Sequence, residues 1–325
     1  MAGFTNLLFC VPDDDDASVR YVARLAAATG AGLTIADVIE DVPPIARRLL
    51  PRSWNLPALV QAQKRARMES TAAIARRLGA APKTVLLTGS PIKALVQEVV
   101  RGGHDLLAVG AATSGTVACI GASATRLMRE APCPVLLVHP ARRWRRPRVL
   151  VAIDTGPWVS KRISVLTAKL IETALWITEK HGGELHVLHA WVPYGERMLT
   201  RAGVSDAEAR RFLAGQREEV RQEELEPALA PIRARIPAAR VHLVEGDPRV
   251  AIADFATSHR IDILVIGTVA RSGIAGHIIG NTAEAVLSQL PCSMLVVKPD
   301  GGRGRGRRST HKTTRRSRDH VDVAS

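Results

Sequence analysis

Aromatic side chains make up only 3% of the 325 residues. Cores built on stacked rings are therefore excluded, and so is a base-stacking platform of the kind that grips single-stranded nucleic acid. Cysteine is also scarce. Cys10, Cys119, Cys133 and Cys292 form no CxxC pair and have no histidine at metal-ligand spacing, which argues against a disulfide scaffold or zinc ribbon and fits a reduced, cytoplasmic setting. No apolar run approaches the roughly 18 residues of a membrane-spanning helix. The N-terminal run covers only Thr5 to Val11, without a signal-peptide or lipidation pattern. Nor does spacing support a Ser-His-Asp or Cys-His arrangement, so turnover is not expected. His186 and His189 lie three apart on an expected strand and so point to opposite faces, where they cannot share a metal. His277, in the Gly-rich loop, is the one histidine worth testing for proton transfer, although such a residue is far more often a solvated loop histidine.

Aliphatic residues are abundant. The apolar fraction is 46%, enough for two cores of Ala, Val, Leu and Ile, and the length suits about two domains. The formal charge is +14, and the stretch from Gly301 to Ser325 carries seven Arg and one Lys against two Asp, or +6 of that total. This stretch lacks apolar periodicity and is rich in Gly, Arg, Ser and Thr, so 300–325 is expected to be a disordered basic tail. It reads as a solubilising terminus or as a weak, salt-dependent contact for nucleic acid or another anionic surface.

Read in order, the chain repeats itself. Strands are expected at Asn6–Val11, Leu33–Ile39, Thr84–Leu87, Asp105–Val109 and Pro134–Val138, each followed by a helix except the last. The pattern restarts after ARRWRRP, Ala141–Pro147, with strands at Val149–Ile153, Leu185–Ala190, Val241–Val244, Ile261–Ile266 and Ser293–Val297. A long helical region over Asp206–Arg235 must be interrupted or kinked at Pro227 and Pro231. Both halves end alike, APCPVLLVHP and LPCSMLVVKP. The domains are thus expected at 1–140 and 148–299, joined by a basic linker at 141–147. Alternating strands and helices imply parallel sheets covered on both faces, with ligands beyond the carboxyl ends of the strands.

Arg260 to Pro299 carries the most specific pattern. A strand ends at Ile266; a loop with Gly267, Gly273, Gly276 and Gly280 follows; and Asn281, Thr282 and Glu284 open a helix. Strand, Gly-rich loop and helix start together make an anion site. Gly267, with Gly280 thirteen positions on and a small polar residue after it, resembles the signature of the universal stress protein family. The nucleotide-binding members of that family carry Gly, two residues, Gly, nine residues, then Gly and Ser or Thr. In this chain Ala270 stands at the second glycine and Asn281 at the Ser/Thr position, and the segment is similar to the tandem, E-type branch, whose ATP motif is degenerate.

The resemblance covers about residues 4–299. It implies an α/β fold of two tandem doubly wound domains, each a five-stranded parallel sheet of order 3-2-1-4-5 with helices on both faces. The domains would pair with each other beside their fifth strands; whether two chains also form a homodimer stays open. It further implies a cytoplasmic role in the stress response by binding and interaction. The alternative is an ATP-binding or slowly ATP-hydrolysing protein with one site in the second half, formed by Asp154, Gly246, Gly267, Arg271, Gly280, Asn281 and Thr282. Magnesium accompanying ATP would be the one metal. Asp154 reads equally as the N-cap of the following helix, and Gly246 with Pro248 as a turn and first-turn proline. The first half is further from a nucleotide site: Pro12 falls where Asp154 falls, Gly110 to Gly121 is two residues shorter, and Asp13–Asp16 would repel a triphosphate.

Overall fold

The computed structural model describes residues 3–11, 16–40, 48, 55–110, 124–139, 146–155, 161–195, 198, 202–235, 240–268, 281–287 and 292–299. Ten short strands, most of them aliphatic, form one sheet. They are β1 (Asn6–Cys10), β2 (Gly32–Ile39), β3 (Pro82–Thr88), β4 (Leu106–Gly110), β5 (Val135–Val138), β6 (Arg148–Ile153), β7 (Glu184–Trp191), β8 (Arg240–Glu245), β9 (Ile263–Gly267) and β10 (Ser293–Val297). Their order is β3-β2-β1-β4-β5-β10-β9-β6-β7-β8. Each half is therefore a parallel five-stranded sheet of order 3-2-1-4-5, as expected from the family resemblance. The halves join through β5 and β10, the one antiparallel pairing, which makes the whole sheet mixed.

The helices are α1 (Asp16–Thr29), α2 (Leu56–Arg77), α3 (Pro91–Gly102), α4 (Ala124–Glu130), α5 (Lys161–His181), α6 (Asp206–Glu219), α7 (Glu226–Leu229), α8 (Pro248–Ser258) and α9 (Asn281–Leu287). Alternation along the strands sends Leu7 and Phe9 to one layer with α1, α2 and α5, and Leu8 to the other with α3, α4, α8 and α9. Both core layers continue across the seam between the halves. Helix α2 begins at Leu56, where the Asn55 side chain accepts from the Ala58 N–H at 3.3 Å and Pro57 suits the first turn. The region 206–235 is helical throughout but changes form. Regular helix gives way to a π-turn over Val220–Leu225 before Pro227, and to a 3₁₀ segment over Ala230–Arg235 that contains Pro231. A proline has no N–H to donate, so the irregular turns absorb the interruption.

The repeat extends to polar detail. Asp105, just before β4, accepts from the main-chain N–H of Thr5 at 2.8 Å and of Asn6 at 2.9 Å. Asp262, just before β9, accepts from the Arg148 N–H at 2.9 Å, so one carboxylate ties the start of the central strand in each half. At the seam Leu136 faces Leu295, at 2% and 1% exposure. Around this apolar contact, Arg129 pairs with Glu284, the His139 N–H donates to Ser293 Oγ at 3.0 Å, and Lys298 Nζ donates to the Arg129 carbonyl at 3.0 Å. Burial pushes the Lys298 ammonium down to about 8.

Within this seam the apolar contact should dominate. Leu295→Ala is expected to lower stability by about 2–4 kcal/mol in urea unfolding. Arg129→Ala, which removes a half-exposed ion pair, should cost less than about 1 kcal/mol. Equal losses would show that the polar contacts hold the halves together.

Candidate functional site

The topology selects the carboxyl edge of the second half. Strands β6 and β9 are neighbours, and the helices that follow them, α5 and α9, lie on opposite faces. A crevice opens where connections diverge in this way. Asp154 leaves β6 there, Gly267 ends β9, and Asn281 and Thr282 begin α9. Gly246 follows β8 at the same edge, two strands from β6. The structure thus brings Asp154, Gly246, Gly267 and Thr282 to one edge of the sheet, while Arg271, Gly280 and the side chain of Asn281 lie outside the described residues, as do His277 and the 300–325 tail.

Local chemistry accounts for both described glycines. A Cβ on Gly267 would lie 2.8 Å from Leu166 Cδ2, and Leu166 is 3% exposed. A side chain at the end of β9 would therefore have to displace Leu166 of α5. Gly246 has φ +128° with open space around it, so a side chain is excluded by backbone conformation and not by a neighbour. Asp247 then caps α8 by accepting from the Arg249 N–H at 2.9 Å, and Arg249 holds its carboxyl down at about 2. The Asp154 carbonyl accepts from Thr167 Oγ1 at 3.3 Å, which binds the end of β6 to α5. Helix α5 is described from Lys161 onward, so the N-cap reading of Asp154 falls on residues outside those described.

Sequence reasoning missed a pair of buried ionisable side chains at equivalent positions. Leu7 pairs with Leu33 and Val149 with Leu185, which makes Asp37 and His189 counterparts, four residues further along β2 and β7. Asp37, 3% exposed, meets Lys64 Nζ at 2.9 Å and the Arg67 guanidinium. Burial pushes its carboxyl up and Lys64 offsets only part of that shift. His189, 2% exposed, has Nδ1 3.2 Å from the Ile153 carbonyl and Nε2 3.9 Å from Glu224, which sits on the π-turn. The sign is reversed: acid on the strand in one half, acid on the helix in the other. Lys64 and Arg67, three apart on an amphipathic helix opposite an acid in an apolar strand, were the available signal.

On the other face of β7, His186 and His242 stack, with His186 Nδ1 3.1 Å from His242 Nε2. His259 lies flat on Phe255 at 3.7 Å and 5.9 Å from His242. His186 and His189 do face opposite ways, as the spacing requires, and among the described residues no group of His, Cys, Asp and Glu is arranged to hold a metal. Cys133 and Cys292 are buried, and burial pushes the Cys133 thiol up to about 12, which makes it an inert packing group.

A family profile described as "Universal stress protein family" matches residues 3–139 and again 146–298. The chain belongs to the universal stress protein family. Among its relatives, Universal stress protein E of Escherichia coli K12 is 28% identical over 215 residues, a match that spans 65% of this chain and 66% of the relative. Universal stress protein E of Photorhabdus laumondii is 26% identical over 93% of this chain and 97% of its own length. A putative universal stress protein from Pseudomonas aeruginosa UCBPP-PA14 superposes with TM-score 0.62 at 24% identity, covering 91% of this chain and 94% of that one. A universal stress protein from Archaeoglobus fulgidus gives 0.61 at 18% identity, covering 90% and 98%. At these identities the structures speak for the fold alone. Membership of the family supports a stress-response role, and no described helix is long and apolar enough to cross a membrane.

Two outcomes test this edge and its neighbour. If Gly267 is held for packing, Gly267→Ala should destabilise the ligand-free protein by about 1–3 kcal/mol in urea unfolding; unchanged stability would leave close ligand approach as its reason. The histidine stack sets an acid limit. Burial, then His186, His259 and Arg240, push the His242 imidazole down to about 4, whereas an unfolded histidine titrates near about 6.5. Between those values the unfolded chain binds more protons, so this contribution is complete above about 6.5 and is lost as pH falls toward 4. Glu184, Arg148 and Arg240 also face the stack. The fall in Tm between neutral and acid pH should be smaller in His242→Gln than in the parent protein, and an identical fall would exclude the stack as its source.

Proposed function

We propose that this universal stress protein is a cytoplasmic two-domain protein that acts in the stress response by binding and interaction, without catalytic turnover. The observation that carries this reading is Gly267. A Cβ there would lie 2.8 Å from Leu166 Cδ2, so packing against α5 supplies a reason for the glycine best matched to a nucleotide motif that does not depend on a nucleotide. Gly246 and Asp247 likewise act as turn and helix cap, and Ala270 and Asn281 depart from the family's nucleotide-binding pattern.

A second reading rests on the convergence of Asp154, Gly267 and Thr282 at one switch point. There a carboxylate can take two vicinal hydroxyls of a ribose, and the Gly267–Gly280 loop, with Arg271, Asn281 and Thr282, would take the phosphates of ATP. Calorimetric titration of the full chain with ATP and magnesium at near-physiological salt decides between the two. The binding reading predicts no heat of ATP association. Affinity of about micromolar strength or better, abolished by Gly280→Glu, would replace it with a nucleotide-responsive protein whose second half is the sensor.

A further inference from the structure

Helix α6 buries none of its side chains, although it lies in the middle of the chain and is firmly started. Ser205 Oγ accepts from the Glu208 N–H at 3.4 Å and Glu208 accepts in return from the Ser205 N–H at 3.3 Å, a reciprocal cap that fixes the first turn. Further along, the Gln216 amide donates to the Tyr194 carbonyl and accepts from the Tyr194 N–H, both at 2.9 Å. The helix is thus held in place without being covered. Ala209, Leu213, Gln216 and Val220 form its half-buried inner stripe. The outward side carries Arg211, Ala214, Gly215 and Glu218, all exposed.

Two features of α6 and its surroundings have no explanation within one chain. Gly215 stands inside a helix where a Cβ would meet nothing within 4 Å. A helix-interior glycine costs about 1 kcal/mol relative to alanine, and no packing in the described chain calls for it. Phe212, at 47% exposure, and Tyr194, at 79%, lie on the flank of the same helix, with Val192 close by in sequence at 66%. In a chain so poor in aromatics, these two rings are left to solvent beside an unpacked helix.

The charges indicate what covers it. About the midpoint between Ala214 and Gly215, Arg211 and Glu218 are equally spaced and opposite in sign. When the helix is laid antiparallel against its own copy, Arg211 of each chain meets Glu218 of the other, and the small pair Ala214–Gly215 falls at the crossing, where the two backbones come closest. Under twofold symmetry each contact occurs twice. Among the described residues Arg211 makes no hydrogen bond or ion pair, and Glu218 accepts only from its neighbour Gln222, so both are free to pair across such a contact. We propose that α6 is a homodimerisation surface, its partner the same helix of a second chain, crossed antiparallel at Ala214–Gly215 and set in register by Arg211–Glu218.

Sedimentation velocity of the full chain over a concentration series tests this with charge reversals at exposed positions. The parent protein should dimerise reversibly, more weakly as salt rises. Arg211→Glu and Glu218→Arg, each setting like charges opposite one another, should raise the dissociation constant about tenfold or more. The combined Arg211→Glu, Glu218→Arg chain, which restores opposite signs, should return it to near the parent value. Circular dichroism identical to the parent's would show that the variants are folded. A chain that stays monomeric throughout, a dimer indifferent to the single reversals, or a double variant that fails to recover would each overturn the proposal.

Discussion

Between β5 and β10 three residue pairs run antiparallel, Val135 with Val296, Leu136 with Leu295 and Leu137 with Met294. The edges that two separate five-stranded sheets would expose are thereby consumed within one chain. Unpaired strand edges invite association, so this closure determines which surfaces the protein has left. The remaining edges are β3 and β8. The first opens with Pro82 and Lys83, and the second is bounded by Arg240 and Glu245, residues that discourage further strand pairing.

The two halves share a backbone plan but keep different chemistry at the same places. Asp105 and Asp262 perform one task, tying the start of the central strand, and they are the same residue type. Asp37 and His189 occupy one place and are not. A buried carboxylate facing Lys64 and Arg67 is compensated within the fold, since removing either side would leave charge stranded in a medium that solvates it poorly. At His189 the neighbours are different ones, the Ile153 carbonyl 3.2 Å from Nδ1 and the Glu224 carboxylate 3.9 Å from Nε2.

Much of this was legible in the sequence for a simple reason: strands buried on both faces are mostly aliphatic, and such runs mark the inner strands, while the edge strands β3 and β8 are only partly buried. The repeated Pro-Cys before the last strand placed Cys133 and Cys292 at equivalent positions, and the resemblance to the family supplied the strand order. What was not legible depends on distances through space. His186 and His242 are 56 residues apart and touch only because β7 and β8 are neighbours in register. Gly267 read as a phosphate-binding glycine because nothing in the sequence says that Leu166 will press on it. Gly246 was ambiguous for the opposite reason, since a turn and a ligand contact ask for the same residue.

The π-turn at Val220–Leu225 shows how one local irregularity divides a helix into two roles. The inner stripe of α6 runs through Ala209, Leu213, Gln216 and Val220. Continued at regular helical spacing, it would next bring Glu224 and Pro227 against the sheet, a charge and an imino acid where the core needs apolar volume. One wider turn moves the stripe on to Leu225, Leu229 and Ile232, which are 0%, 0% and 7% exposed. It also leaves Glu224 at the rim facing His189. Upstream of the turn, Glu224 lies 18 positions after Asp206, whereas Lys64 and Arg67 lie only 8 and 11 positions after Leu56 in the counterpart helix. The second long helix therefore has about two more turns on the far side of its strand contact than the first needs. Those turns bury no side chain, and their outward face is left exposed.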